Sequence, residues 1–113
     1  EIINRAELFY DEFAISTFDG RNIDGATVIG AKAANALLDV QGIRGSFVIT
    51  QLSSCIYVSA RSIDDLNVQI IMEKFGGGGH LTVAAAQLKD RTMGEVVNDL
   101  KNLLASMKKE GDI

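Results

Sequence analysis

Four consecutive glycines, Gly76 to Gly79, lead directly into His80, the only histidine of the chain, within the stretch FGGGGHLTVAAAQL. Ordering a glycine run is entropically costly, and one or two glycines suffice for a helix stop and a tight turn. An interior run of four calls for a second reason. Bare backbone permits positive φ and lets a ligand lie directly on the main chain, where amide N–H groups meet an anion. His80 adds a hydrogen-bond donor and Thr82 a hydroxyl. The pattern is not a P-loop, because no Gly-Lys-Ser/Thr follows. It is not the dinucleotide fingerprint either, because the glycines are contiguous and follow a helical stretch.

A second feature lies one helix upstream. Arg61 closes the uncharged, β-rich run CIYVSA and is flanked by Ser59 and Ser62. Sheets of α/β domains present ligands at strand ends, and a guanidinium fork suits phosphate or carboxylate. The competing reading is a surface arginine paired with Asp64 or Asp65. Together with the glycine loop, Arg61 outlines an anion site. Reactive chemistry is harder to find. One histidine and one cysteine, Cys55, give no zinc-ligand spacing. The carboxylates are scattered, without the clustering of a two-metal centre, and no Ser-His-Asp arrangement is legible. The chain reads as a recognition half without a chemical half.

Composition narrows the class further. The net charge of −4 and pI near 4.8 argue against a protein that coats nucleic acid, though not against a local anion site. A single cysteine leaves no internal disulfide and fits a reducing compartment. No apolar run has the length of a bilayer span, about 18 residues. The chain opens on Glu1 in EIINRAELFYD, as expected of a piece of a longer protein.

The elements that must hold these residues follow from periodicity. ELFYDEFAISTFDG reads as extended, with Asp19-Gly20 as a turn. Asp24 is placed to cap a helix running to about Val40, with Ile29, Ala33, Ala36, Leu37 and Val40 on its apolar face and Gly42 as its stop. GSFVITQL and CIYVSAR, split by Ser53-Ser54, predict a hairpin. Val68, Ile71, Met72 and Phe75 make a short amphipathic helix that begins at Asn67 and ends at Gly76. HLTVAAA is expected to restart as a short helix, placing the glycine loop at the positive end of a helix dipole, with AAQLKD passing into a strand. Thr92 and Glu95 form a capping box for a last helix with Met93, Val96, Val97, Leu100, Leu103, Leu104 and Met107 on one face. The expectation is an α/β single domain over residues 1–113, a mixed sheet flanked by helices, with the glycine-rich loop at a helix N-terminus.

GGGGHLTVAAAQL, preceded by VSARSIDDLNVQIIMEKF, resembles the DHH-associated domain of the DHH phosphoesterase superfamily, whose signature is a GGGH loop followed two residues later by paired alanines. DGATVIGAKAANALLDVQGIRGSFVI is similar to the preceding helix and strand of that domain in membrane-linked bacterial cyclic-di-AMP phosphodiesterases. The resemblance implies that a separate N-terminal DHH domain of the same chain holds two manganese ions and hydrolyses the phosphodiester. The present domain would close over that cleft and bind the nucleotide, without metal or catalytic residue of its own and without touching the membrane that anchors the full-length protein on its cytoplasmic side. It also implies that Gly76, Gly77, Gly78, Gly79 and His80 contact the phosphate or nucleoside, and that Arg61 is the substrate-binding arginine. Ser59, Ser62 and Thr82 would be lesser neighbours, and Asn67 would face the site. The ligand would be a cyclic dinucleotide or, in the nanoRNase branch, a short linear oligonucleotide. A purely nucleotide-sensing module is a reading of another class. A tRNA-engaging module, as beside alanyl-tRNA synthetases, is disfavoured by the acidic pI. The last helix leaves room for a homodimer or for contact with the DHH domain.

Overall fold

Side chains alternate across the strands of a sheet, and that alternation sorts this chain into two cores. In β2 (Phe13–Asp19), β3 (Gly45–Gln51) and β4 (Ile56–Ser62), residues Phe13, Ile15, Phe47, Ile49, Ile56 and Val58 point to one side. Ala14 and Val48 point to the other. The computed structural model describes residues 2–63 and 65–113. Its remaining elements are β1 (Glu7–Phe9), α1 (Ala26–Leu37), α2 (Val68–Glu73), β5 (Gly78–Gly79), β6 (Val83–Leu88) and α3 (Met93–Lys109).

The sheet runs in the order β1-β2-β3-β4-β6-β5. β2 and β3 are parallel, joined through α1, and the other neighbouring pairs are antiparallel. α2 and α3 cover one face through Val68, Ile71, Met72, Val96, Leu100 and Leu104. α1 covers the other through Ala33, Ala34 and Leu37. The α/β class and the mixed sheet flanked by helices are therefore as expected.

Several local expectations give way. The first extended stretch is a tight hairpin, because Tyr10 and Asp11 take positive φ of 56° and 57° and Phe9 pairs with Phe13. Asp24 does not cap α1: Gly25, at φ 69°, occupies the N-cap and no side chain bonds there. α1 ends at Leu37, before Val40, and buries Ala26, Gly30, Ala33, Ala34 and Leu37, leaving Ile29 and Val40 exposed. Small residues win that face because the helix lies close on the sheet; a Cβ at Gly30 would sit 2.8 Å from Thr50 Oγ1. The capping box forms as expected, with Glu95 N–H donating to Thr92 Oγ1 at 3.1 Å and Thr92 N–H to Glu95 Oε1 at 2.9 Å.

Candidate functional site

The four glycines divide by physical role. α2 ends in a Schellman turn. Gly76 takes φ 81°, its N–H donates to the Glu73 carbonyl at 3.1 Å, and the Gly77 N–H donates to that of Met72 at 2.9 Å. The chain then lies directly on β6, with Gly78 opposite Ala85 and Gly79 opposite Ala84. A Cβ at Gly77 would fall 2.1 Å from the Ala85 carbonyl oxygen, and one at Gly79 would fall 2.5 Å from that of Val83. Gly79 also has φ 147°. The alanines are small for the same reason that the glycines are bare: two backbones meet face to face. Gly78 is different, since no heavy atom lies within 4 Å of the place its Cβ would occupy.

No helix begins at His80. The His80 N–H donates to the Val83 carbonyl at 2.6 Å, and the chain turns back as β6. Ala84, Ala86 and Leu88 are buried and Val83 and Gln87 exposed, the two-residue period of a strand. Pairing with β4 along its whole length overrides the helix propensity of the three alanines. The expected helix dipole is therefore absent from the loop, and any anion there must be held by side chains and loop amides.

β4, β6, β5 and α1 border an open cavity of about 450 Å³, within the range of small-molecule sites. Arg61, Ser59, Gly78, Gly79 and His80 line it. Gly76 and Gly77 instead shape the turn leading in. Ser62 is buried, its hydroxyl donating to the Leu66 carbonyl at 2.7 Å. Thr82 is exposed at the β5–β6 turn, its carbonyl accepting from the Ser62 N–H at 3.0 Å. Asn67 caps α2, its side chain accepting from the Ile70 N–H at 3.2 Å, and it borders a separate hollow against α3. A whole wall escaped the sequence reading: Thr27, Ala31, Lys32 and Asn35 of α1 also line the cavity, with Tyr57 beside them. Thr27, Ala31 and Asn35 recur every fourth residue, a stripe that helical periodicity could have revealed.

The electrostatics of the cavity are one-sided. Among the described residues its basic side chains are Lys32, Arg61 and His80, and no carboxylate lines it, in a chain of net charge −4. Arg61 is partly buried and held by neutral acceptors: Nε–H donates to Asn35 Oδ1 at 2.9 Å and Nη1–H to the Ala60 carbonyl at 2.9 Å. Burial pulls its pKa below the ordinary arginine value, with Tyr57 acting weakly the other way. Of the two carboxylates expected as its surface partners, Asp65 bonds Arg44 at 2.9 Å and Asp64 lies outside the described residues. Arg61 has no carboxylate partner among the described residues. Next to it on the same strand face, Ser59 is 1% exposed and its hydroxyl has no hydrogen-bond partner among the described residues. Such a buried orphan costs about 1–3 kcal/mol.

Among the described residues no group of three or more His, Cys, Asp or Glu side chains gathers. No helix among the described residues is long and apolar enough to cross a membrane.

Comparisons with known proteins agree with this architecture. The chain is 45% identical over 100 residues to the cyclic-di-AMP phosphodiesterase PdeA of Listeria monocytogenes, covering 88% of this chain and 15% of that protein. It is 42% identical over 105 residues to the cyclic-di-AMP phosphodiesterase GdpP of Geobacillus thermodenitrificans, covering 92% and 16%. The chain thus spans about a sixth of the length of these relatives. Among solved structures, an exopolyphosphatase-related protein from Bacteroides fragilis shares the fold with a TM-score of 0.81 at 18% identity, over 96% of this chain and 33% of that one. The C-Ala domain of Aquifex aeolicus alanyl-tRNA synthetase matches with a TM-score of 0.61 at 17% identity, over 81% and 91%. The model of the DHHA1 domain matches residues 13–110, and the chain belongs to that family.

Proposed function

We infer that this domain is the nucleotide-binding part of a cyclic-di-AMP phosphodiesterase, placing the cyclic dinucleotide for hydrolysis by a separate DHH domain of the same protein. The observation that carries the reading is the cavity itself, lined among the described residues by basic side chains and no carboxylate, with Arg61 held there by neutral acceptors. A partly buried cation without a counter-ion is unfavourable until an anion arrives, and a phosphate supplies both charge and hydrogen-bond acceptors. The likeness to relatives named as cyclic-di-AMP phosphodiesterases favours a cyclic dinucleotide as that phosphate ester.

In this reading Arg61 fixes one phosphate through its remaining N–H groups, and His80 and the backbone at Gly78 and Gly79 close around it. Water then adds across one phosphodiester on the DHH domain, one P–O bond forming as another breaks, to leave the linear dinucleotide. This domain contributes position, which converts an encounter into an oriented attack. In the longer protein it would lie on the cytoplasmic side of a membrane anchor.

Charge-assisted hydrogen bonds contribute about 1.5–3 kcal/mol each. Arg61→Ala in the full-length protein should therefore lower kcat/KM for cyclic-di-AMP by about 10- to 150-fold, with the circular dichroism spectrum unchanged. Unaltered hydrolysis of cyclic-di-AMP would refute the site. Faster cleavage of linear than of cyclic di-AMP by the parent protein would move the assignment to short linear oligonucleotides. Binding without turnover would make it a sensor.

A further inference from the structure

The α1 wall of the cavity holds Asn35, whose side chain reaches across to β4 and accepts the Arg61 Nε–H at 2.9 Å. Because Nε only donates, the oxygen of the Asn35 amide must face Arg61, and its two N–H donors turn elsewhere. A guanidinium carries five N–H donors in a rigid fork. Asn35 takes one and the Ala60 carbonyl another, and among the described residues the Nη2 amino group has no hydrogen-bond acceptor. A long, rotatable side chain is thereby held at two points, with its outer edge presented to the cavity that both residues line. Asn35 is also uncharged. An aspartate in its place would make the same bond but neutralise the cation and compete with an incoming phosphate.

Resting on the assignment of Arg61 as the phosphate-binding group, we propose that Asn35 is the positioning residue of the site: it orients the Arg61 guanidinium through Nε while leaving its charge to the ligand. α1 is then a functional wall of the cavity as well as the crossover between the parallel strands. Its small neighbour Ala31 lines the cavity one helical turn away.

The test is a double-mutant cycle in the full-length protein. Affinity for cyclic-di-AMP is measured calorimetrically with divalent metal withheld, and KM and kcat are measured with it restored. Asn35→Ala should weaken binding about 3- to 10-fold, because Arg61 loses one of its two anchoring hydrogen bonds but keeps its charge. Asn35→Asp should weaken it by more than about tenfold, because a new ion pair captures Arg61. Both effects should fall on KM more than on kcat, and Asn35 is exposed, so Tm should stay unchanged. In an Arg61→Ala background, Asn35→Ala should add nothing further. A merely structural role would lower Tm and leave the Asp variant as good as the Asn. If Arg61→Ala weakens binding but the Asn35 variants do not, or if the two losses add in full, the positioning role is wrong and the phosphate site stands. If Arg61→Ala itself has no effect, the phosphate site falls and the positioning role falls with it.

Discussion

At the scale of single residues, the glycine run separates what the fold requires from what a ligand requires. Gly76 needs its left-handed backbone, Gly77 its missing Cβ, and Gly79 both. Gly79→Ala would force a side chain against the Val83 carbonyl at an unfavourable φ, and should destabilise the domain by about 1–3 kcal/mol. A thermal melt should show this as a Tm lowered by several degrees. Gly78 has neither constraint and lines the cavity. Gly78→Ala should therefore leave Tm unchanged and weaken nucleotide binding in a titration with cyclic-di-AMP. The opposite pattern, a fall in Tm with affinity intact, would make all four glycines structural.

At the scale of elements, the segments with local signals formed where their sequence placed them. α3 carries its own start in the Thr92–Glu95 box and a strong apolar stripe along one face. Thr92→Ala should cost about 1 kcal/mol, measured as a lower denaturant midpoint at unchanged m-value. The β3–β4 hairpin is as local, with the Leu52 N–H closing on the Cys55 carbonyl at 2.9 Å across Ser53-Ser54. β6 had no such advantage. Three alanines favour a helix in isolation, and Val83 to Leu88 becomes a strand because β4 offers a full ladder on one side and the glycine backbone covers the other. α1 likewise buries Ala26, Gly30, Ala33 and Ala34 beside Leu37, and exposes Ile29, since closeness to the sheet outweighs side-chain hydrophobicity.

At the scale of the whole molecule, one charge network ties distant parts together. Glu12, in the β1–β2 turn, accepts hydrogen bonds from Lys108 at the end of α3 and from Arg44 before β3, the latter at 2.6 Å, and Arg44 bonds Asp65 at 2.9 Å. The Lys108 hydrogen bond first, and Arg44 second, hold the Glu12 carboxyl below its ordinary value. A carboxylate whose native pKa is depressed gives its full stabilisation above its unfolded pKa and loses it as pH falls through the native one. Unfolding free energy should therefore drop as pH falls below the usual glutamate range, in part through Glu12. Glu12→Gln should be less stable by about 1–2 kcal/mol at neutral pH, with a flatter acid limb. Equal acid limbs for the two proteins would remove Glu12 from this role. Asp19, held at about 2 by Arg21, titrates in the same direction from an exposed site.

The chain's periodicities were enough to set the α/β class, the hairpin, α2, α3 and the pairing of a glycine loop with Arg61, because each rests on residues close in sequence. Helix stops, capping boxes and β-rich runs act locally and survive in any context. The facing of β5 against β6, the strand character of the alanines and the α1 wall with Lys32 and Asn35 came from assembly. Asn35 and Arg61 lie 26 positions apart, and no local pattern encodes their bond. It forms because β2 and β3 run parallel, which sends α1 across the sheet and lays its polar edge beside the end of β4.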